Sequence, residues 1–538
     1  MRLSVNLLSL TFATVHCHTI HAATTRQARQ AAAGLPSSQN LTGAIFSGDA
    51  TSPNPMSPKT RYAPYADTLH LDSGNTRSSD TLGPLGFNIT PSTWPAPKSP
   101  FFWDNTTGTS LTSIALCDGS RACIAALDPR TLSTLASWSP PDNQTLQITY
   151  LQVRGTSVIA PTAEGRLYVV DRETHANNGT VAFQTTRQMD VSAHIPTGQT
   201  VLGAAWDAAG NVWFATGGIV GVDDASANGT TVGYVAADDD GSVYVVSIDN
   251  QVAENNMAVS GETVYMSTGP AGADDHADAV GYLLGFQADR EKGVRTVFNE
   301  SYEAGSGLKP GAFARGSGSS PGMVGDAYIA VTDNADGRIH LNVYKQVTNG
   351  YVLDAAGQKN RVCSLPLFGV NASANDNALV THWDGETGEA SIVVTNSFHQ
   401  PTMLNLRDGL PADINDAAWN DLTVMPGEFL SVAVVPEGNG TRCEVVWEKK
   451  EFYQTSIPIL STAAGLLYTY ALDGELAKEG SWMWYWVALD ARTGIERWRV
   501  RAGAGGTYNN NGMLPYLGPD GALWIATVAG TVKLQDKA

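Results

Sequence analysis

In this 538-residue chain the residues best suited to chemistry fall in short polar runs. Glu254-Asn255-Asn256, Arg315, Ser319, Asp376-Asn377 and Tyr508-Asn509-Asn510-Asn511 bring hydrogen-bond donors and acceptors without an evident nucleophile. Arg315, Tyr508, Asn509 and His382 are the candidates for catalysis, because each can donate to an oxygen on which charge develops. Glu254, Asn255, Asn256, Ser319, Asp376, Asn377, Asn510 and Asn511, with Trp383 and His399, are the candidates for holding a ligand. His382-Trp383 and Phe398-His399 each set an imidazole beside a large aromatic surface, which can grip an unsaturated ligand and its oxygen together. Each type also has a plainer use. Asn, Asp and Ser cap turns and satisfy backbone groups, and a buried histidine is most often structural.

Conventional catalytic patterns are missing. Gly316-Ser317-Gly318 lacks the strand-to-helix context of a nucleophile elbow, and neither HExxH nor a phosphate-binding glycine loop occurs. Asp274-Asp275-His276-Ala277-Asp278 is dense in oxygen ligands but lacks the spacing of a calcium loop, so it reads as a solvated acidic loop. No cysteine or histidine cluster has zinc spacing. Neither a metal nor a cofactor is expected. A glycosidase would need two facing carboxylates, and sequence spacing cannot show their separation. The formal net charge of −19 argues against nucleic acid and anionic membranes as partners. The chain is expected to be a monomer.

The polar runs need a scaffold that gathers them. A turn with Gly, then a short apolar strand, recurs at Glu164-Gly165, Ala209-Gly210, Ser260-Gly261, Val324-Gly325, Gly388-Glu389, Ala464-Gly465 and Asp520-Gly521. The intervals leave room for four short strands, and a ring of four-stranded sheets buries what one sheet alone cannot. The fold class is therefore all-β, a single β-propeller of about seven blades, with six to eight open. The last strands, 523–529 and 531–534, leave the final blade incomplete, and residues 113–117, 123–128 and 132–138 are expected to complete it. Mixing the chain ends in this way removes an open sheet edge. The polar runs precede inner strands, so they should rim one mouth of the central channel, where propellers usually bind ligands.

The compartment follows from three features. Residues 1–23 read as a secretory signal: Met1-Arg2, an apolar run too short to span a bilayer, then Ala22-Ala23. Sequons place candidate glycans on Asn40, Asn88, Asn105, Asn143, Asn178, Asn228, Asn299, Asn371 and Asn439. With Cys17 in the signal, Cys117, Cys123, Cys363 and Cys443 remain, and three pairings are open. Cys117 with Cys123 is preferred because it staples a turn, leaving Cys363 with Cys443. The protein is thus expected to be secreted. Residues 24–105, rich in Ser, Thr, Pro and Asn, read as an extended and partly disordered arm, and 106–538 as the propeller.

Val487-Ala488-Leu489-Asp490-Ala491-Arg492-Thr493-Gly494-Ile495-Glu496-Arg497-Trp498 resembles the strand–turn–strand repeat of quinoprotein-type propellers, and Leu127-Asp128-Pro129-Arg130-Thr131 with Trp138 resembles it more faintly. In that repeat the Asp and Thr-Gly shape a turn and the Trp packs between blades. Residues 250–535 resemble secreted quinoprotein-like propellers, through Glu254-Asn255-Asn256-Met257, Gly316-Ser317-Gly318-Ser319, Thr332-Asp333-Asn334-Ala335-Asp336-Gly337, Asn375-Asp376-Asn377 and Tyr508-Asn509-Asn510-Asn511-Gly512. In size, signal, sequons and sheet pattern the chain also resembles the fungal hetero-Diels–Alderases of tropolone–sesquiterpenoid biosynthesis. That resemblance implies an enzyme steering a cyclisation or cycloaddition of an apolar, conjugated small molecule in the channel. The alternatives are a quinoprotein-like oxidoreductase and a non-catalytic secreted binding propeller.

Overall fold

A computed structural model describes residues 34–62, 66–67, 69–103, 110–117, 121–175, 179–217, 229–313, 315–347, 360–401, 413–438 and 440–537. The expected signal and the sequons at Asn105, Asn178, Asn228 and Asn439 lie outside them. The described chain is all-β. Strands form eight sheets in succession, antiparallel but for one short added strand, each sheet a blade, and the helices are short, such as Gly474–Lys478.

The first blade is Phe101–Trp103, Leu111–Cys117, Arg121–Leu127 and Thr134–Trp138. The inner strands of the next six are Gln152–Arg154, Thr200–Trp206, Ala258–Ser260, Gly322–Val324, Val380–Trp383 and Ile459–Ser461. The eighth blade begins with Tyr516–Leu517 and continues through Leu523–Ala526 and Thr531–Gln535. Its fourth strand is Thr90–Trp94, antiparallel to Thr531–Gln535. The chain ends therefore do share a blade, but the segment that completes it is not 113–138. Those residues make a blade of their own, which raises the number from about seven to eight.

Each repeated Gly turn leads into a blade's second or third strand. Gly261 precedes Thr263–Pro270 and Gly325 precedes Tyr328–Thr332, both second strands, whereas Gly165 precedes the third strand Arg166–Thr174. Most of these glycines hold positive φ, as at Gly165 (φ 82°), a conformation side chains resist.

Apolar clusters join neighbouring blades all the way round. Ile124 packs with Val158 and Tyr168 between the first two blades, and Ile159 with Phe214 between the second and third. Tyr234 with Met266, Phe298 with Ile329, and Val343 with Ile392 continue the circuit. The circuit closes where Phe101 meets Tyr516 and Trp524, with ring centroids 5.8 and 5.5 Å apart. In the Trp482–Trp486 run, alternation decides the burial: Trp484 and Trp486 face one inter-blade cluster and Tyr485 faces another. Asp490 accepts from the N–H groups of Arg492 and Thr493, forming the expected turn, and Trp498 is fully buried beyond it.

Both preferred disulfides are present, Cys117–Cys123 and Cys363–Cys443. The segment expected as an arm supplies strands to several blades. Phe46–Gly48 adds to the outer edge of the seventh, Ala66–Asp67 pairs with the inner strand of the second, and Ser78–Ser79 runs parallel to the inner strand of the seventh. Phe101–Trp103, also within it, is the first blade's inner strand.

Candidate functional site

Residues 70–78 are buried almost without interruption, because they lie across the central channel. Their carbonyls accept from one inner strand after another: Ser73 from Val259, Gly74 from Met323, Thr76 from Thr381 and Arg77 from Leu460, at 2.6 to 3.0 Å. Asp72 folds the segment locally, accepting from the N–H groups of Gly74 and Thr76 and from the Thr76 hydroxyl at 2.6 Å. Lys59 pairs with the same carboxylate at 2.6 Å. The Arg77 guanidinium, fully buried, donates to the carbonyls of Leu69 and Pro515, both at 2.7 Å, and of Ile457 at 3.3 Å. A buried cation is tolerated where carbonyls take its protons, as here.

Beside this plug, the loops that precede the inner strands form a hydrogen-bonded belt. Tyr150 donates to Asn255 at 3.2 Å, and Asn255 reaches the Ser317 carbonyl at 3.5 Å. Ser319 accepts from the Thr332 N–H at 3.0 Å, Asn375 donates to Thr332, and the Asn375 N–H donates to Asn334. Asn377 donates to Thr395, and Gln400 reaches the Thr455 carbonyl at 3.4 Å. Thr455 then donates to Asn510, whose amide donates to the Met513 carbonyl. The belt links the second, fourth, fifth, sixth, seventh and eighth blades at one end of the ring.

Two carboxylates stand out against it. Asp376 accepts from the Phe313 N–H at 2.7 Å through Oδ2, whereas its buried Oδ1 has no hydrogen-bond partner within reach. Burial raises its pKa to about 7, against the opposing pull of the Phe313 N–H and the Asn334 amide. Glu254, at the start of the run that leads into the fourth blade's inner strand, is half-buried. Burial pushes its carboxyl well above the usual carboxylate range, and the neighbouring Asp376 charge pushes it further. The fourth- and sixth-blade loops thus hold two carboxyls whose charges oppose one another. Gly318 of the fifth blade packs against it: a Cβ there would lie 1.9 Å from Asp376 Oδ1.

The donors expected to be catalytic are committed elsewhere. Arg315 pairs with Asp275 and donates to the carbonyls of Gly305, at 3.0 Å through Nε, and His276, at 2.7 Å, so it ties the acidic loop down. Among the described residues no cluster of three or more acidic, His or Cys side chains could hold a metal. His382 Nε2 donates to the Ser57 carbonyl at 2.8 Å, and burial lowers its pKa, making it a neutral structural histidine. Tyr508 is buried and donates to the Leu35 carbonyl at 2.6 Å. Asn509 donates to the Trp419 carbonyl and Asn420, and it accepts from the Asn511 N–H at 2.7 Å. Trp383 is half-buried, edge-on to Tyr328 at 5.8 Å. His399 is exposed beside Phe398, with ring centroids 4.6 Å apart.

Among the expected ligand-binding residues, Asn255, Asn256, Ser319, Asn377 and Asn510 do gather at the mouth, bonded largely to one another and to neighbouring loops. Asn75, Tyr150, Asn334 and Thr455 belong with them and were not among the candidates. Only Asn334 carried a signal, in the polar turn Asp333-Asn334-Ala335-Asp336. A separate cleft of about 510 Å³ opens between the second and third blades, lined by Arg154, Ser157, Arg187 and Trp206 among others. Its Arg187 is spent on Asp240 and the Ala236 carbonyl, and the lining brings no acid–base pair together, so the carboxyl pair is the better candidate site.

No protein-family description matches the sequence, and no curated protein matches it. Solved structures match in overall form. Sqt1 of Chaetomium thermophilum is 11% identical over 89% of this chain and 98% of its own, with a TM-score of 0.41. The WD40 domain of SCAP from fission yeast is 8% identical over 84% of this chain and 98% of its own, at 0.38. The β-propeller domain of Myceliophthora thermophila Cps50 (Swd1) is 9% identical over 84% of this chain and 100% of its own, at 0.37. The class defined by the fold is the β-propeller, here with eight blades.

Proposed function

We propose that this protein is a secreted, cofactor-independent enzyme that takes a small conjugated carbonyl compound at the belt-lined mouth and steers its cyclisation or hetero-Diels–Alder cycloaddition. The observation that carries this reading is the Glu254–Asp376 pair, with Asp376 Oδ1 unpartnered. A carboxylic acid kept neutral at pH 7 can donate a hydrogen bond where a carboxylate cannot. Glu254 is that donor: its O–H meets the carbonyl oxygen of the acceptor, on which negative charge grows as the new ring closes. Asp376 keeps the proton on Glu254, because two adjacent carboxylates resist ionising together. The roles first given to Arg315, Tyr508, Asn509 and His382 pass to this pair. The walls supply orientation, which in well-aligned systems is worth roughly 7–11 kcal/mol of barrier. The two disulfides are compatible with an oxidising, extracellular setting, and among the described residues no helix is long and apolar enough to cross a membrane.

The test is to incubate the purified protein with an ortho-quinone methide precursor and a cyclic polyene. The account expects faster, stereoselective adduct formation that Glu254→Gln reduces at least tenfold and that declines as alkaline pH strips the pair of its last proton. Adduct formation no faster or more selective than the background, with the ligand still bound, would instead make this a binding propeller.

A further inference from the structure

Asn75 is fully buried, and its backbone is left-handed, with φ 56°. Its side chain joins two loops that approach the carboxyl pair from different blades. Nδ2 donates to the Pro321 carbonyl at 3.0 Å and the Met257 carbonyl at 3.3 Å, and Oδ1 accepts from Asn256 at 3.4 Å. Met257 and Asn256 close the run that begins with Glu254, and Pro321 ends the run whose Gly318 packs on Asp376. One amide from a remote part of the chain therefore bridges the wall bearing Glu254 and the wall against Asp376.

We propose that Asn75 is a positioning residue of the site, fixing the separation of the 254–257 and 317–321 loops and excluding water from the carboxyl pair. Its backbone neighbours hold the segment independently, through Ser73 with Val259 and Gly74 with Met323. The side chain is thus free to serve the loops without being the anchor of the plug. Removing the bridge lets the loops part and water reach the carboxyls, which then ionise at lower pH.

The inference rests on the reading of Glu254 and Asp376 as the acid pair, but its main test does not require turnover. Asn75→Gly keeps the left-handed backbone and deletes the amide without adding a charge. In the folded variant the pH midpoint of the carboxyl C=O infrared band that Glu254→Gln abolishes is measured. The expected result is a fall of about one pH unit, a tenfold change in proton affinity, with kcat lowered more than KM is raised where turnover is seen. Asn256→Ala, which cuts one arm of the bridge and leaves Asn75 in place, is read the same way. A midpoint unchanged in the folded variants overturns the inference. A shifted midpoint in a protein without turnover upholds Asn75 as the positioning residue and removes only the proposed reaction.

Discussion

At the scale of single residues, a pair of carboxyls that hold their protons has an unusual consequence for stability. Both bind a proton more tightly in the folded chain than in the unfolded one, where carboxylates titrate near pH 4. Stability is therefore fullest below that range and declines as pH rises toward the folded values, about 7 for Asp376 and well above the usual range for Glu254. Glu254→Gln should leave the melting midpoint nearly unchanged at pH 4 and raise it by ~1–3 °C at pH 8, as calorimetry at the two pH values would show. Gly318→Ala is the opposite case. Its Cβ would meet Asp376 Oδ1 at 1.9 Å, so the loop must move; the midpoint should fall at all pH values and the pair should titrate closer to ordinary carboxylates. Both carboxyls stood among the sequence candidates, but as ligand-binding groups. Glu254 and Asp376 lie on loops of different blades, and no spacing in the chain shows that their charges meet.

At the scale of elements, the segment across the channel matters most. Its composition reads as disordered, because Asp72-Ser73-Gly74-Asn75-Thr76-Arg77 has no apolar period and looks like a string of turns. It is ordered by backbone hydrogen bonds to strands hundreds of residues away, and such pairing leaves no mark in local composition. Arg77→Met should demonstrate this. The variant fills a similar volume but removes the donor to the carbonyls of Ile457, Pro458 and Pro515. Unmet buried acceptors cost about 1–3 kcal/mol each, so chemical denaturation should show a loss of at least ~3 kcal/mol. The strand–turn–strand repeat ending at Trp498 was fully legible, because its Asp-x-x-Thr-Gly turn is decided by residues within hydrogen-bonding reach of one another.

At the scale of the whole molecule, the ring was legible in outline, and its eight blades sit at the upper end of the expected six to eight. The first blade's strands lie ahead of the first of the repeated Gly turns, Glu164-Gly165, so they read as the complement of the last. Thr90–Trp94, which does complete the last, includes Pro91 and an exposed polar face, and resembles a loop. Surface chemistry follows the ring: Asn40, Asn88, Asn143, Asn299 and Asn371 are all exposed. Secretion from a eukaryotic host should therefore add glycans there, seen as a mass loss on amidase treatment with Asp left at each site; unmodified Asn at all of them would contradict a secretory route. The central claim, a neutral Glu254 beside Asp376 within a closed mouth, is tested most directly by infrared difference spectroscopy at pH 7 between the native protein and Glu254→Gln. The account predicts a protonated-carboxyl C=O band in the native protein that the variant lacks and that disappears as pH is raised. Two spectra alike in that region at pH 7 would contradict it.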